Sequence, residues 1–239
     1  MSFRVMGAVM KSQAGKAVDR VRSVFSSDSG HASRGPADTP GPLGLVAGGM
    51  VTFTETMFIL RSEESAVEYP GSNKIIGAHG TATLQGQSLH RYYLEDGRST
   101  IQVITDRSGK PIPGELKLFQ AFDEVDPATG ADWDFWMSDE DGSIGLDQFQ
   151  TRDGVLYDRA WSPGGGRIPP VRFTETIRPA GNSGMSSAMV RHEAMLYKRP
   201  LSDGNGAEYM LLSAVESGGG AWVEIQVGVD LDPVLLEVV

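Results

Sequence analysis

The strongest constraint on the fold is an alternation of apolar and polar residues, with a period of two, that begins near Leu43. Near the C-terminus, Val223, Ile225, Val227 and Val229 alternate with the residues at 222, 224, 226 and 228. Successive side chains of a strand point to opposite faces, so this pattern predicts a strand with one buried face. A similar alternation predicts a strand over 171–177.

The same reasoning predicts further strands over 74–84, 88–95, 99–105, 115–122, 155–161, 187–198 and 207–216. Four Asp-Gly pairs begin at Asp96, Asp141, Asp153 and Asp203, and three of them lie between predicted strands. Asp-Gly favours the positive φ angles of tight hairpins. The strands are therefore expected to pair in an antiparallel manner.

Helices are expected to be few and short, because the best helical stretch of the body covers only 128–138. Strands do not alternate with long helices, which disfavours a doubly wound parallel sheet. The predicted class is α+β, predominantly antiparallel β, with a β-rich domain over 44–239 built of sheets or half-barrels. A faint repeat relates the segment starting at His90 to the one starting at His192, which allows two similar halves, about 44–125 and 126–239.

Composition excludes several kinds of chemistry. The chain has no cysteine, which removes disulfides, thiolate catalysis and Cys-ligated zinc, and agrees with a cytoplasmic location. A net charge of -10 argues against nucleic acid as a partner, since phosphate binding needs a basic face. No run of about 18 apolar residues is present, so no membrane-spanning helix is expected.

Residues 1–25 differ from the rest of the chain in charge. They contain five cations and one acid, a net charge of +4, which leaves -14 for residues 26–239. On a helix, one apolar stripe forms with cations on both sides. The predicted membrane or partner contacts are Phe3, Arg4, Met6, Met10, Lys11, Lys16, Arg20, Val21, Arg22 and Phe25.

The segment 26–43 is rich in Ser, Gly, Pro and Asp and is interpreted as a disordered linker. The basic amphipathic segment before it has three interpretations. It lies on an anionic membrane surface, docks on a partner, or packs on its own domain.

Candidate ligand-binding residues in the body are His90, Arg91, Arg167 and His192. The histidines belong to the two echoing strands, and Arg167 follows three glycines in a segment interpreted as a mobile binding loop. No motif predicts a catalytic nucleophile, and no histidine spacing predicts a metal site. No cofactor is expected, and the sequence favours a binding role over an enzymatic one.

Six strings of the body are similar to those of a known family: HRYYLEDG (90–97), ELKLF (115–119), DGSIG (141–145), DGVLYDRAW (153–161), PPVRFTE (169–175) and GVDL (228–231). They resemble the YjfK-like bacterial proteins of unknown function, DUF2491, over roughly 45–239. The resemblance implies a cytoplasmic protein without established activity. It also implies an association with phage-shock-protein-A-like membrane-remodelling proteins, a matter of gene context that carries no site residue with it.

These observations lead to one functional prediction and one alternative. The prediction is a non-enzymatic accessory or scaffold protein that acts at the inner face of the bacterial membrane in membrane stress, through protein–protein interaction with a phage-shock-protein-A-like partner. The alternative is an enzyme or small-ligand-binding protein whose site contains His90, His192 and Arg167.

Overall fold

The computed structural model describes residues 40–61, 63–181, 187–202 and 206–239. The predicted amphipathic helix over 1–25, and the predicted linker as far as residue 39, lie outside these residues. The last residues of that linker are ordered, because Pro42–Gly44 forms a 3-10 turn and Gly41 N donates to Leu45 O at 2.8 Å. Leu43 packs against the core.

The described chain is rich in strands and has two short α-helices, α1 (Thr56–Ile59) and α2 (Gly130–Met137). The strands are β1 (Met50–Phe53), β2 (Asn73–Leu84), β3 (Gln87–Leu94), β4 (Ser99–Thr105), β5 (Pro111–Val125), β6 (Gln148–Gln150), β7 (Leu156–Arg159), β8 (Val171–Pro179), β9 (Ala188–Pro200), β10 (Ala207–Ser217), β11 (Gly220–Asp230) and β12 (Leu236–Val238). All nine predicted strands are confirmed. The short strands β1, β6 and β12 were not predicted.

Eight of the strands close into an antiparallel barrel. Neighbouring strands run in the order β2-β3-β4-β5-β11-β10-β9, and β8 pairs with both β9 and β2 to complete the ring. The barrel consists of two four-stranded meanders, β2 to β5 and β8 to β11. The first meander ends at Val125, and the sequence analysis allows two similar halves with a boundary at about that residue.

Tight turns connect the hairpins at positions of positive φ. Gln85 and Gly86 both have positive φ between β2 and β3, as do Gly218 and Gly219 between β10 and β11, which is the requirement of a type I′ turn. The Asp96-Gly97 pair connects β3 to β4 and the Asp153-Gly154 pair connects β6 to β7, as predicted. The third predicted hairpin pair, at 203–204, lies outside the described residues.

The interior of the barrel has three levels. On β8, Phe173, Glu175 and Ile177 point inward, as do Leu196, Ala194, His192 and Val190 on β9 and Leu211, Ser213 and Val215 on β10. Each of these three strands therefore places a polar inward side chain between two apolar ones. Polar side chains form the middle level, and a hydrophobic cluster closes each end.

Two layers cover the outside of the barrel. One packs on β3, β4, β5 and β11 and contains β1, β12, α1 and the chain around Leu45. The other packs on β9, β10 and β11 and contains α2, β6 and β7. A capping box starts α2, since Thr129 Oγ1 accepts from Asp132 N and the Asp132 carboxylate accepts from Thr129 N. In the part of the chain described, no helix has the length and apolar character needed to cross a membrane.

Candidate functional site

The middle level of the barrel is a cluster of polar side chains, most of them buried and Tyr93 and Glu224 partly so, which we call the polar layer. It contains Arg91 and Tyr93 of β3, Gln102 of β4, Glu175 of β8, His192 of β9, Ser213 of β10 and Glu224 of β11. Buried charged groups are costly unless they are paired and hydrogen-bonded. The partners of each group therefore decide what the layer does.

Glu175 lies at the centre of the polar layer and is 1% exposed. Its Oε1 accepts a hydrogen bond from Tyr93 Oη at 2.7 Å, and its Oε2 accepts one from Arg91 Nη1 at 3.2 Å. His192 Nε2 lies 3.2 Å from the same Oε2. Both carboxylate oxygens are thus held by partners from two other strands.

These contacts set the charges inside the barrel. Burial alone raises the pKa of Glu175, but the charge of Arg91 and the contacts of His192 and Tyr93 outweigh burial and lower it to about 2. Burial lowers the pKa of His192, in spite of the neighbouring Glu175. At neutral pH the layer therefore contains an ionised Glu175, a charged Arg91 and a neutral His192.

Ser213, His192 and Glu175 are connected in the order of a hydrolase triad. His192 Nδ1 lies 3.0 Å from Ser213 Oγ, and its other nitrogen faces Glu175. The serine of a hydrolase must face its substrate, whereas Ser213 is 2% exposed in the barrel interior. The carboxylate is also shared with Arg91 and Tyr93. This geometry supports a structural role for the three side chains.

A second carboxylate of the polar layer, that of Glu224, has a raised pKa, whereas the pKa of Glu175 is lowered. Glu224 lies directly across from Glu124 in the pairing of β11 with β5, and Gln226 Nε2 donates to Glu224 Oε1 at 3.1 Å. Burial raises the pKa of Glu224 to about 7, the charges of Glu124 and Glu175 act in the same direction, and Arg91 opposes them. Near neutral pH, Glu224 is therefore only partly ionised.

We expect Glu224→Gln to stabilise the protein at pH 8 by about 2 kcal/mol and to change little at pH 5. The pKa of Glu224 is higher in the folded state than its ordinary value of 4.5. As the pH rises from about 4.5 to about 7, Glu224 therefore lowers the free energy of unfolding by an increasing amount. Above about pH 7 this loss of stability stays constant. The whole rise in the pKa of Glu224 corresponds to a few kcal/mol of lost stability. The side chain is partly accessible to solvent, which reduces this amount.

Urea unfolding at the two pH values measures this difference. Glu216→Gln, at an exposed position of β10, is the matched control and should show no such change. A variant of Glu224 that is destabilised at pH 8 would contradict the electrostatic account of this pair.

The structure brings together only two of the four ligand-binding residues predicted from the sequence. Arg91 and His192 meet at Glu175. His90 points out of the barrel, where its Nδ1 lies 3.1 Å from Nε2 of His79 and burial lowers its pKa. The echoing strands β3 and β9 are not neighbours, since β2 and β8 lie between them.

Arg167 lies elsewhere, at the C-terminal end of α2. Its guanidinium donates to the carbonyl oxygens of Gly142, Asp139 and Met137 at 3.1 to 3.3 Å, where cations satisfy the last carbonyls of a helix. The glycine-rich segment before it is held by Arg159, which donates to the carbonyls of Gly145, Ser162, Gly164 and Gly166. Arg159 and Arg167 thus make contacts along or beside the segment interpreted from the sequence as a mobile binding loop.

A buried carboxylate that the sequence did not single out connects the two outer layers. Glu208 accepts from Tyr157 Oη at 2.6 Å, from Arg199 Nε at 2.8 Å and from Ala66 N at 2.6 Å. Its contacts therefore join β10 to β7, to β9 and to the segment after α1. Within the described residues, no three His, Asp or Glu side chains are arranged to hold a metal ion.

Comparison with known proteins places the chain in a family. The sequence model of DUF2491, described as a protein of unknown function, matches residues 23–236. The matched region begins earlier than the resemblance carried by the six strings, which covers roughly 45–239, and adds residues 23–44 to it. Comparisons with curated proteins and with solved structures found no match. The match covers the barrel, nearly all of both outer layers and residues 23–39 before them, and the chain belongs to the DUF2491 family of proteins of unknown function.

Proposed function

We propose that this protein is a non-enzymatic accessory protein that binds the anionic inner face of the bacterial membrane through its basic N-terminal segment. The observation that carries the proposal is the division of charge along the chain, +4 over residues 1–25 and -14 over the rest. A basic segment gains about 1 kcal/mol per Lys or Arg near an anionic bilayer, whereas an acidic body is repelled. The two parts are therefore suited to different surroundings.

The second part of the proposal is that the acidic body binds a protein partner. We propose a phage-shock-protein-A-like membrane-remodelling protein, on the basis of the family resemblance and its gene context. The barrel supports a binding role because the polar groups of its interior are used in contacts with one another, as Glu175 with Arg91 and Tyr93. Binding is then a property of the outer surface. Pull-down of a purified partner of this type by the full chain tests this part, and an absence of capture would remove it.

The alternative, an enzyme or ligand-binding site containing His90, His192 and Arg167, is not retained. A site requires side chains that converge on one point. His90 lies on the outside of the barrel, His192 lies inside it, and Arg167 lies at the end of α2.

We expect replacement of Arg4, Lys11, Lys16, Arg20 and Arg22 by Gln in the full chain to weaken binding to phosphatidylglycerol-containing vesicles by about 100-fold or more. Five basic residues at about 1 kcal/mol each account for a loss of this size. Co-sedimentation measures it. The matched control replaces Arg98, Lys110, Arg152, Lys198 and Lys74 of the body by Gln and should bind as the unaltered chain does. Equal binding by all three proteins would contradict the proposal.

A further inference from the structure

Part of the outer surface of the barrel is covered by neither outer layer. On β8, Arg172, Thr174 and Arg178 are exposed and alternate with the buried Phe173, Glu175 and Ile177. The neighbouring outward positions are His79 and Thr81 of β2, and Met189, Arg191 and Glu193 of β9. We call these residues, together with Thr176 and with Glu193 at the border, the cationic sheet face.

The charge of the cationic sheet face differs from that of the body around it. The outward residues of β8 and of the adjoining part of β2 include two arginines, a histidine and three threonines, and no carboxylate. Residues 26–239 as a whole carry -14. Arginine with neighbouring hydroxyl groups is a favourable combination for phosphate oxygens. The face is thus a local exception to the acidic surface.

The two carboxylates at the border of this face do not block it. Glu193 Oε2 lies 2.9 Å from Arg172 Nε, and Glu216 Oε2 lies 3.2 Å from Arg191 Nη1. The side chains of Arg172 and Arg191 are 75% and 72% exposed. Ion pairs this exposed contribute little to stability, so the guanidinium groups can exchange them for other anions. Met189, which pairs with Thr176 on the side of Arg191 away from Arg172, is 70% exposed.

The chain leading from the basic segment enters the described structure close to this face. Gly41 lies against the Tyr92 hydroxyl, where an added Cβ would be 2.1 Å from the oxygen. The Tyr92 ring stacks on His79 at 4.4 Å, and His79 pairs with Arg178 in the register of β2 and β8. The strand that bears Tyr92, β3, lies about two strand spacings, roughly 10 Å, from β8.

We propose that the cationic sheet face lies against the anionic bilayer when the N-terminal segment is bound. This inference rests on the proposed function and adds the orientation of the body. The first described residues lie near Tyr92 and His79, at the border of the cationic sheet face, so a single docked orientation can bring both sets of cations to the bilayer. The acidic residues Asp139, Glu140 and Asp141 follow α2, in the outer layer that also contains β6 and β7. In this orientation they stay in water.

A single fluorescent label tests the orientation, because the chain has no cysteine of its own. Met189→Cys and Glu140→Cys, each in the full chain, are labelled with an environment-sensitive dye and mixed with vesicles of phosphatidylglycerol and phosphatidylcholine. We expect a blue shift and a gain in intensity for the dye at 189, and none for the dye at 140. Vesicles of phosphatidylcholine alone should change neither.

Arg172→Gln, Arg178→Gln and Arg191→Gln combined should weaken binding to the anionic vesicles by about tenfold or more. The control with the same loss of charge is Lys110→Gln, Arg152→Gln and Lys198→Gln, at exposed positions before β5, between β6 and β7, and near the far end of β9, and should bind normally.

The outcomes separate this inference from the proposed function. If the chain binds anionic vesicles but the dye at 189 does not respond, or the triple arginine variant binds as well as the control, the orientation is wrong and membrane binding stands. If the triple arginine variant instead loses only the capture of a protein, the face is a protein contact. If the full chain does not bind anionic vesicles, both proposals are wrong.

Discussion

Glu175→Gln should lower the free energy of unfolding by about 3 to 5 kcal/mol, the cost of breaking a buried ion pair by removing one partner. The carboxylate accepts hydrogen bonds from Arg91 and Tyr93 and contacts His192, and it is almost completely buried. Glutamine keeps the size of the side chain and removes its charge. The guanidinium of Arg91 then loses its ion-pair partner at 3.2 Å and keeps only the weaker attraction of the partly ionised Glu224.

Urea unfolding followed by tryptophan fluorescence measures this loss. Glu193→Gln is the control, since its pair with Arg172 lies on the surface, and it should change stability by less than about 1 kcal/mol. Combining Arg91→Met with Glu175→Gln should recover part of the loss, because no unpaired cation remains. A loss for Glu175→Gln as small as that of the surface control would show that the polar layer does not stabilise the barrel.

Gly80→Ala should destabilise the protein by about 3 kcal/mol, at the upper end of the usual cost of overpacking. A Cβ at this position of β2 would lie 1.7 Å from Glu175 Oε1 and 2.7 Å from Cδ of the same carboxylate. The carboxylate has no room to retreat, since Tyr93 and Arg91 hold its two oxygens. Gly80 is therefore needed for the close approach of β2 to the polar layer.

Thermal unfolding of Gly80→Ala, next to Gly165→Ala as control, measures this effect. An added Cβ at Gly165 would meet no atom within 4 Å, and the control should unfold within a few degrees of the unaltered chain. In a double-mutant cycle, Gly80→Ala should cost little when Glu175→Ala is present, because the colliding oxygens are absent. Additive losses would indicate that the alanine acts through another contact.

Local sequence patterns predicted the strands well because each strand of this barrel has an apolar inward or outward face. The prediction for β4 over 99–105 agrees with Ser99–Thr105, and the helix predicted over 128–138 contains α2. The strands that were missed, β1, β6 and β12, are three or four residues long and so offer little alternation to recognise. Closure of the barrel depends on the pairing of β8 with β2, which no local pattern encodes.

The polar layer was predicted only in part, and the reason is again one of distance along the chain. Arg91 and Glu175 are paired across 84 positions, and sequence spacing does not reveal such neighbours. A signal was nevertheless present in β8, where Glu175 occupies the inward position between Phe173 and Ile177 in an otherwise apolar series. A charged residue at an inward position requires a buried partner. The same argument applies to His192 between Val190 and Ala194.

His90 and Arg167 are predicted ligand-binding residues that the structure places apart from each other, each in contacts that the sequence did not suggest. His90 follows Leu89 and precedes Arg91, so the alternation of β3 turns its side chain outward. Arg167 follows three glycines, yet its guanidinium reaches back to carbonyls at the end of α2. Only the tertiary structure reveals these contacts.

The central claim is that a charge-divided chain binds an anionic membrane surface. The most direct measurement is the fraction of the full chain that co-sediments with vesicles as phosphatidylglycerol content and salt are varied. We predict binding that rises steeply with phosphatidylglycerol content, is weak on phosphatidylcholine alone, and falls strongly as salt is raised to about 0.5 M. Binding that is absent at low salt, or that is independent of lipid charge and salt, would contradict the claim.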